Sequence, residues 1–147
     1  EKSGLILNIS SILGLLPTPF GALYSASKHA LEGYSESLDH ELRTQGIRIS
    51  LIEPAYTNTS LGTNLLEADA KVSAYDHIRE KLHQHMIKSI NKSDDASIVA
   101  KTILTVINSQ NILPRYTSGK AARHLKNLRK FAPVKIFDTL IQRSLKV

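Results

Sequence analysis

Tyr24 and Lys28 stand four residues apart in a stretch free of proline, so if that stretch is helical both side chains leave one face a single turn apart. That spacing has a chemical use. A free tyrosine titrates at about 10, which makes it too weak a base and too reluctant a donor at neutral pH, and a neighbouring ammonium stabilises its phenolate. Tyr24 so placed is a candidate general acid or base. Ser11 follows the first apolar run, and at the end of a strand its hydroxyl can hydrogen-bond a substrate oxygen at the sheet edge where α/β folds bind their ligands. A Tyr-x-x-x-Lys pair also arises in helices as a partly buried ring beside a solvated lysine, so its surroundings must decide its meaning.

Those surroundings read as an α/β unit. Leu5 to Ser10 is a short continuous apolar run after Gly4, the pattern of a parallel strand buried on both faces. A loop with Gly14, Pro17, Pro19 and Gly21 follows, then Ala26, Ala30, Tyr34, Leu38 and Leu42 recur at helical spacing within a helix predicted from about Ala22 to Thr44 and ended by Gly46. Ile47 to Glu53, stopping at Pro54, is a second strand reached by a helical crossover, which implies a right-handed β-α-β unit. From Ala55 to about Asn91 the chain is polar and mixed, a loop with helices near Leu61 to Leu66 and Ala74 to Ile90. Ser93, Asp94 and Asp95 read as a helix start, with Ile98, Val99, Thr102, Ile103, Val106 and Ile107 as the stripe of a helix ending near Ser109. Ile112 to Thr117 reads as a third strand, and two amphipathic helices split by Pro133 complete the chain.

The 147 residues, 41% hydrophobic and 22% charged, suit one globular domain, and no apolar run approaches the ~20 residues that span a bilayer. A cytoplasmic location is the default expectation. With no cysteine, disulfides, thiolate metal sites and a cysteine nucleophile are excluded. His77, His83 and His85 cannot share one helix face and have no carboxylates to complete a set, so no metal is expected. The net charge of +6 concentrates between Arg115 and Lys146, where Asp138 is the single acid. Aromatic residues make up 5% and do not interleave with the basic ones, which speaks against nucleic acid. Leu125, Leu128, Phe131, Ile136, Phe137, Leu140, Ile141 and Leu145 form apolar stripes flanked by lysine and arginine, as in helices that lie on a membrane surface; packing on the domain or across a dimer suits the same pattern and is preferred here.

Taken together, Asn8-Ile9-Ser10-Ser11 with Gly14, then Tyr24-Ser25-Ala26-Ser27-Lys28 with Ala30 and Leu31, then a strand ending in Pro54 and followed by Thr59, resembles the short-chain dehydrogenase/reductase family from about Gly4 to Asn108. The resemblance implies a doubly wound parallel sheet of the Rossmann type, of which this chain would be the C-terminal part. It further implies an oxidoreductase moving a hydride between NADP or NAD and a carbonyl or secondary alcohol. In that family the serine at Ser11 holds the reacting oxygen, the tyrosine at Tyr24 relays its proton, and the lysine at Lys28 tunes the tyrosine and binds the nicotinamide ribose. Pro54 matches the proline of a Pro-Gly segment whose backbone passes the nicotinamide, with Ala55 in place of the glycine. Thr59 matches the threonine at the carboxamide, and Thr57 stands where the family usually has valine or isoleucine. Residues 55–92 correspond to a variable substrate lid, in which Tyr56, Leu61, Leu65 and Leu66 are candidates to line an apolar pocket or to pack ordinarily.

The family's glycine-rich phosphate-binding turn and catalytic asparagine would lie upstream of Glu1, so the chain reads as part of a longer enzyme whose first strand here has an open apolar edge. Residues 1–117 are then the remainder of the catalytic domain and 118–147 a basic helical tail. Pro114-Arg115-Tyr116-Thr117 followed by Gly119-Lys120 resembles the branch related to steroid and retinol dehydrogenases, which hints at lipophilic substrates. As a full-length protein a homo-oligomer is expected. The alternative reading is an inactive binding or interaction fragment, associated with a membrane surface through its tail.

Overall fold

A computed structural model describes residues 3–60, 64 and 70–144. The chain divides into two compact units, Glu1–Ala55 with Ser97–Ala132, and Tyr56–Ala96 with Pro133–Val147.

The first unit is built on a parallel sheet in the order β1 (Gly4–Ile9), β2 (Ile47–Pro54), β5 (Arg115–Ser118). In register, Ile6 faces Ile49, Ile9 faces Ile52, and Leu51 faces Arg115. The Gly4 N–H to Gly46 carbonyl bond at 3.1 Å and the Ser10 N–H to Ile52 carbonyl bond at 2.8 Å continue the first ladder past both ends. As the central strand, β2 is buried on both faces: Ile49, Ser50, Leu51, Ile52 and Glu53 are all at most 2% exposed. The edge strand β1 departs from its expected burial on both faces. Ile6 and Ile9 stay 44% and 45% exposed, because among the described residues β1 has a partner on one side only.

Helix α1 (Ala22–Leu42) is the crossover between β1 and β2 and starts and ends where the sequence indicates. It passes through a 3-10 turn at Arg43–Gln45 into Gly46, whose φ of 75° is the left-handed conformation that favours glycine. The row Ala26, Ala30 and Tyr34 that marks the helix lies on its exposed side, and the buried residues are Ser25, Glu32, Ser35 and Asp39. These polar groups find partners in the strands. Asn8 Nδ2 donates to Ser35 Oγ at 2.9 Å, and Asp39 accepts from the Ile49 N–H and from Arg48 Nε, both at 2.8 Å, and also from Arg43. Burial opposes ionisation of Asp39, yet the donors from Arg48, Arg43 and Ile49 outweigh it and hold the carboxyl below its ordinary value.

Helix α3 (Ser97–Ile107) packs on β2 and β5, with Val106 fully buried, and α4 (Gly119–Phe131) packs on the same strands, with Ala122 fully buried. At ~1.5–3 kcal/mol per fully buried aliphatic side chain, Ile49, Leu51, Ile52 and Val106 anchor this unit.

The second unit holds the two-residue strands β3 (Thr57–Asn58) and β4 (Asp94–Asp95), which pair in parallel, together with α2 (Asp76–Asn91) and α5 (Val134–Ser144). Asp94 and Asp95 therefore do not open α3, as their type suggests. Their backbones pair with β3, and the helix begins at Ser97. The helix expected near Leu61 to Leu66 lies outside the described residues apart from Asn64.

Candidate active site

β1 leaves the sheet at Ile9, and the chain turns at once. Ser11 has an extended backbone and caps the 3-10 turn Ile12–Gly14, its Oγ accepting from the Leu13 N–H at 3.1 Å. That leaves the hydroxyl hydrogen to donate elsewhere. Buried Ile12 and Leu16 anchor the loop beneath it. Gly14 is dictated by close approach: an added Cβ would lie 2.7 Å from both Cγ and Oε1 of Glu32 and 3.0 Å from Ser10 Oγ. The entry to α1 is strained. Phe20 adopts φ 57°, a region that bulky side chains avoid.

On the first turn of α1 Tyr24 is 42% exposed, and one turn later Lys28 is half-buried. Lys28 Nζ donates to the Ile9 carbonyl at 3.1 Å and lies 5.7 Å from the Tyr24 ring centroid. The ammonium thus bridges the helix carrying Tyr24 and the strand end that precedes Ser11. Pro54, the last residue of β2, and Ala55 after it are half-buried at the same C-terminal edge of the sheet. Ser11, Tyr24, Lys28, Pro54 and Ala55 belong to the first unit, whereas Tyr56, Thr57 and Thr59 belong to the second. Thr57 is half-buried on β3, and Tyr56 and Thr59 are exposed. Leu61, Leu65 and Leu66 lie outside the described residues.

Behind Tyr24 and Lys28 the sequence reading missed a cluster of charge. Glu32 and Glu53 are 3% and 0% exposed. Arg115 at the start of β5 donates through Nη1 to Glu32 Oε2 and, at 3.2 Å, to Glu53 Oε1, and through Nε to Glu36 Oε1 at 2.5 Å. Lys126 Nζ on α4 lies 3.6 Å from Glu53 Oε2. Burial raises the Glu32 pKa, with the Ser10 hydroxyl and Arg115 acting against it. Ser10 Oγ and Glu32 Oε1 are buried with no hydrogen bond of good geometry, although the hydroxyl lies near enough to favour the ionised carboxyl. Glu36 is held below its ordinary value by its hydrogen bond from Arg115, and Arg115 is correspondingly raised by Glu36 first and by the other two carboxylates. The available signal was weak: a glutamate inside an apolar strand and a second on the inward side of a helix.

Among the described residues no three histidines or acids converge on a metal site, and no helix is long and apolar enough to cross a membrane. In α4 Ala122 is fully buried while Phe131 is 71% exposed, and in α5 Phe137 is buried.

Known proteins resemble this chain in sequence and in fold. A family profile described as short chain dehydrogenase matches residues 1–70. An uncharacterized oxidoreductase of Bacillus subtilis, YusZ, is 35% identical over 145 residues, covering 95% of this chain and 52% of the relative. A short-chain dehydrogenase structure from Streptomyces avermitilis superposes with a TM-score of 0.70 at 23% identity, covering 99% of this chain and 52% of that one, a likeness of fold. A 4-hydroxyisoleucine dehydrogenase mutant, complexed with NADH and succinate, superposes with a TM-score of 0.58 at 29% identity, covering 82% of this chain and 48% of that one. The chain spans about half the length of the curated relatives it matches.

Proposed function

Because the chain belongs to the short-chain dehydrogenase/reductase family, we propose that it carries the proton-transfer half of an oxidoreductase acting with NAD or NADP on a carbonyl or secondary alcohol. One observation supports this above the others: Lys28 Nζ touches both the end of the Ser11 strand, at 3.1 Å from the Ile9 carbonyl, and the Tyr24 ring, 5.7 Å from its centroid. The donor set suits the nicotinamide end of such a cofactor. An ammonium has three donors, and Lys28 spends one on Ile9, leaving the others for ribose hydroxyls. The nicotinamide supplies or accepts the hydride. In the reductive direction Ser11 donates to the carbonyl oxygen and holds it, and Tyr24 gives that oxygen its proton. Lys28 stabilises the charge left on the phenolic oxygen. Pro54 and Ala55 present backbone at the same sheet edge. For Thr57, Thr59 and Tyr56 the assignment to cofactor and substrate rests on the resemblance alone, as does a lipophilic substrate.

The exposed row Ala26, Ala30 and Tyr34 on α1 would suit a subunit contact in the full-length protein, its two alanines letting a second helix approach beside the exposed Tyr34 ring. In the alternative reading the isolated chain is an inactive interaction fragment. Calorimetric titration with NADH and NADPH decides between them: a full-length protein that binds and a bare chain that does not would confine the activity to the longer protein. Tyr24→Phe in the full-length protein should abolish turnover across a carbonyl panel, and full activity would overturn the proton-relay assignment.

A further inference from the structure

Lys28 and Glu32 stand one turn apart on α1, the spacing at which opposite charges on a helix pair. In the structure they engage other groups. Lys28 Nζ goes to the Ile9 carbonyl at 3.1 Å, and Glu32 Oε2 is bonded by Arg115 Nη1. Arg115 comes from β5, where it sits opposite Leu51 and is held in register by the Leu51 N–H to Pro114 carbonyl bond at 2.8 Å.

We propose that Arg115 is a positioning residue for the proton relay: by holding the Glu32 carboxylate from the neighbouring strand, it keeps Glu32 off Lys28 and leaves the ammonium to Ile9 and Tyr24. This rests on the reading of Tyr24 and Lys28 given above. A buried carboxylate stripped of its cation must find another or take up a proton. Among the described residues the other charged groups around Glu32 are Glu36 on its own helix, with His40 acting on it in turn, Glu53 on β2 and, against Glu53, Lys126 on α4 at 3.6 Å. Glu36 and Glu53 are acids, Lys126 is already taken and the His29 ring is engaged with the Ser25 carbonyl at 2.9 Å, so among the described residues Lys28 is the lysine or arginine at helical pairing spacing from Glu32 on α1. An ion pair there would draw the ammonium away from the Ile9 carbonyl and neutralise it beside the phenol. Arginine suits the task because its planar guanidinium holds donors in a rigid fork, here spread over three carboxylates, Glu32, Glu36 and Glu53, where an ammonium is a single compact point charge.

The test uses the full-length protein with four variants: Arg115→Met, Glu32→Gln, the two combined, and Tyr24→Phe. Arg115→Met should lower kcat about tenfold with KM changed less than about threefold, and should move the limb of the kcat–pH profile that needs the phenolate upward by about one pH unit. Glu32→Gln alone should behave like the parent. The double variant should recover both kcat and pH profile to within about threefold, a rescue that a merely structural role for Arg115 would not produce. A readout free of turnover is the phenolate absorbance of the cofactor-free protein, taken as the difference from Tyr24→Phe, which should follow the same displacement and recovery. The assignment of Arg115 is overturned if Arg115→Met lowers thermal stability alone, or if the double variant stays as slow as the single. Should Arg115→Met fail to fold, Arg115→Lys, which keeps the charge without the fork, replaces it and the same rescue by Glu32→Gln decides. Full activity in Tyr24→Phe overturns the relay reading itself; an inactive Tyr24→Phe with an unrescued double overturns Arg115 only.

Discussion

The ammonium of Lys28 donates to the backbone carbonyl of Ile9 at 3.1 Å, which ties the helix of Tyr24 to the strand that delivers Ser11. The bond is solvent-accessible, so its worth to folding is small, on the order of 0.5–1.5 kcal/mol. Its worth to the reaction is larger. Lys28→Met in the full-length protein should lower kcat/KM by about 100-fold or more while Tm changes by a few degrees at most. Steady-state kinetics beside a thermal melt check this, and a variant that loses stability but retains kcat/KM would contradict the role.

Gly14 packs against Glu32 with no room for a methyl group, since an added Cβ would lie 2.7 Å from Glu32 Cγ and Oε1. Gly14→Ala should destabilise the fold by about 1–3 kcal/mol, the usual cost of overpacking. The cost should fall when Glu32 is shortened to Ala in the same chain, so a double-mutant cycle followed by urea denaturation should give a coupling of at least ~0.5 kcal/mol. Additive losses would place the strain elsewhere.

Much of this was legible in the residues, and the reasons differ from element to element. Tyr24 and Lys28 could be paired because one helical turn fixes their relation, and α1 could be bounded because Gly21 and Gly46 punctuate it. The inward face of α1 could not be read, since amphipathic patterning assumes an apolar inside and here Ser25, Glu32, Ser35 and Asp39 fill it. Their partners come from Asn8 on β1, from Arg48 and Ile49 on β2 and from Arg115 on β5, pairings set by strand register that no local spacing announces. Asp94 and Asp95 misled for the opposite reason. Their acid types suit a helix start, but backbone pairing with Thr57 and Asn58 claimed them first.

The buried acids should give stability an uneven pH dependence. Glu32 has a raised pKa, so between that value and its ordinary 4.5 the folded state binds a proton that the unfolded state does not, and stability rises as pH falls through this window. Asp39 and Glu36 have lowered values, so their contribution is present above their ordinary 3.8 and 4.5 and is lost as pH falls further toward the folded values. Tm measured against pH should therefore pass through a maximum in mildly acidic solution. Glu32→Gln should remove the rise on the neutral side and leave the acid fall; an unchanged profile in that variant would show that Glu32 does not titrate in this window.

Ser11 has two jobs that one substitution would confound, because its Oγ caps the turn through the Leu13 N–H at 3.1 Å and its O–H is proposed to hold the substrate oxygen. Ser11→Ala removes both, and should cost about 0.5–2 kcal/mol of stability as a lost cap, together with about 100-fold or more in kcat. Ser11→Asp separates them. Its carboxylate can accept the Leu13 N–H, so urea denaturation should show stability nearer the parent than to Ser11→Ala, yet it presents no hydroxyl donor and would repel a developing oxyanion. Turnover should then be no better than in Ser11→Ala. If the aspartate variant recovers activity in step with stability, the serine acts by shaping the turn, and the oxygen of the substrate is held by another group.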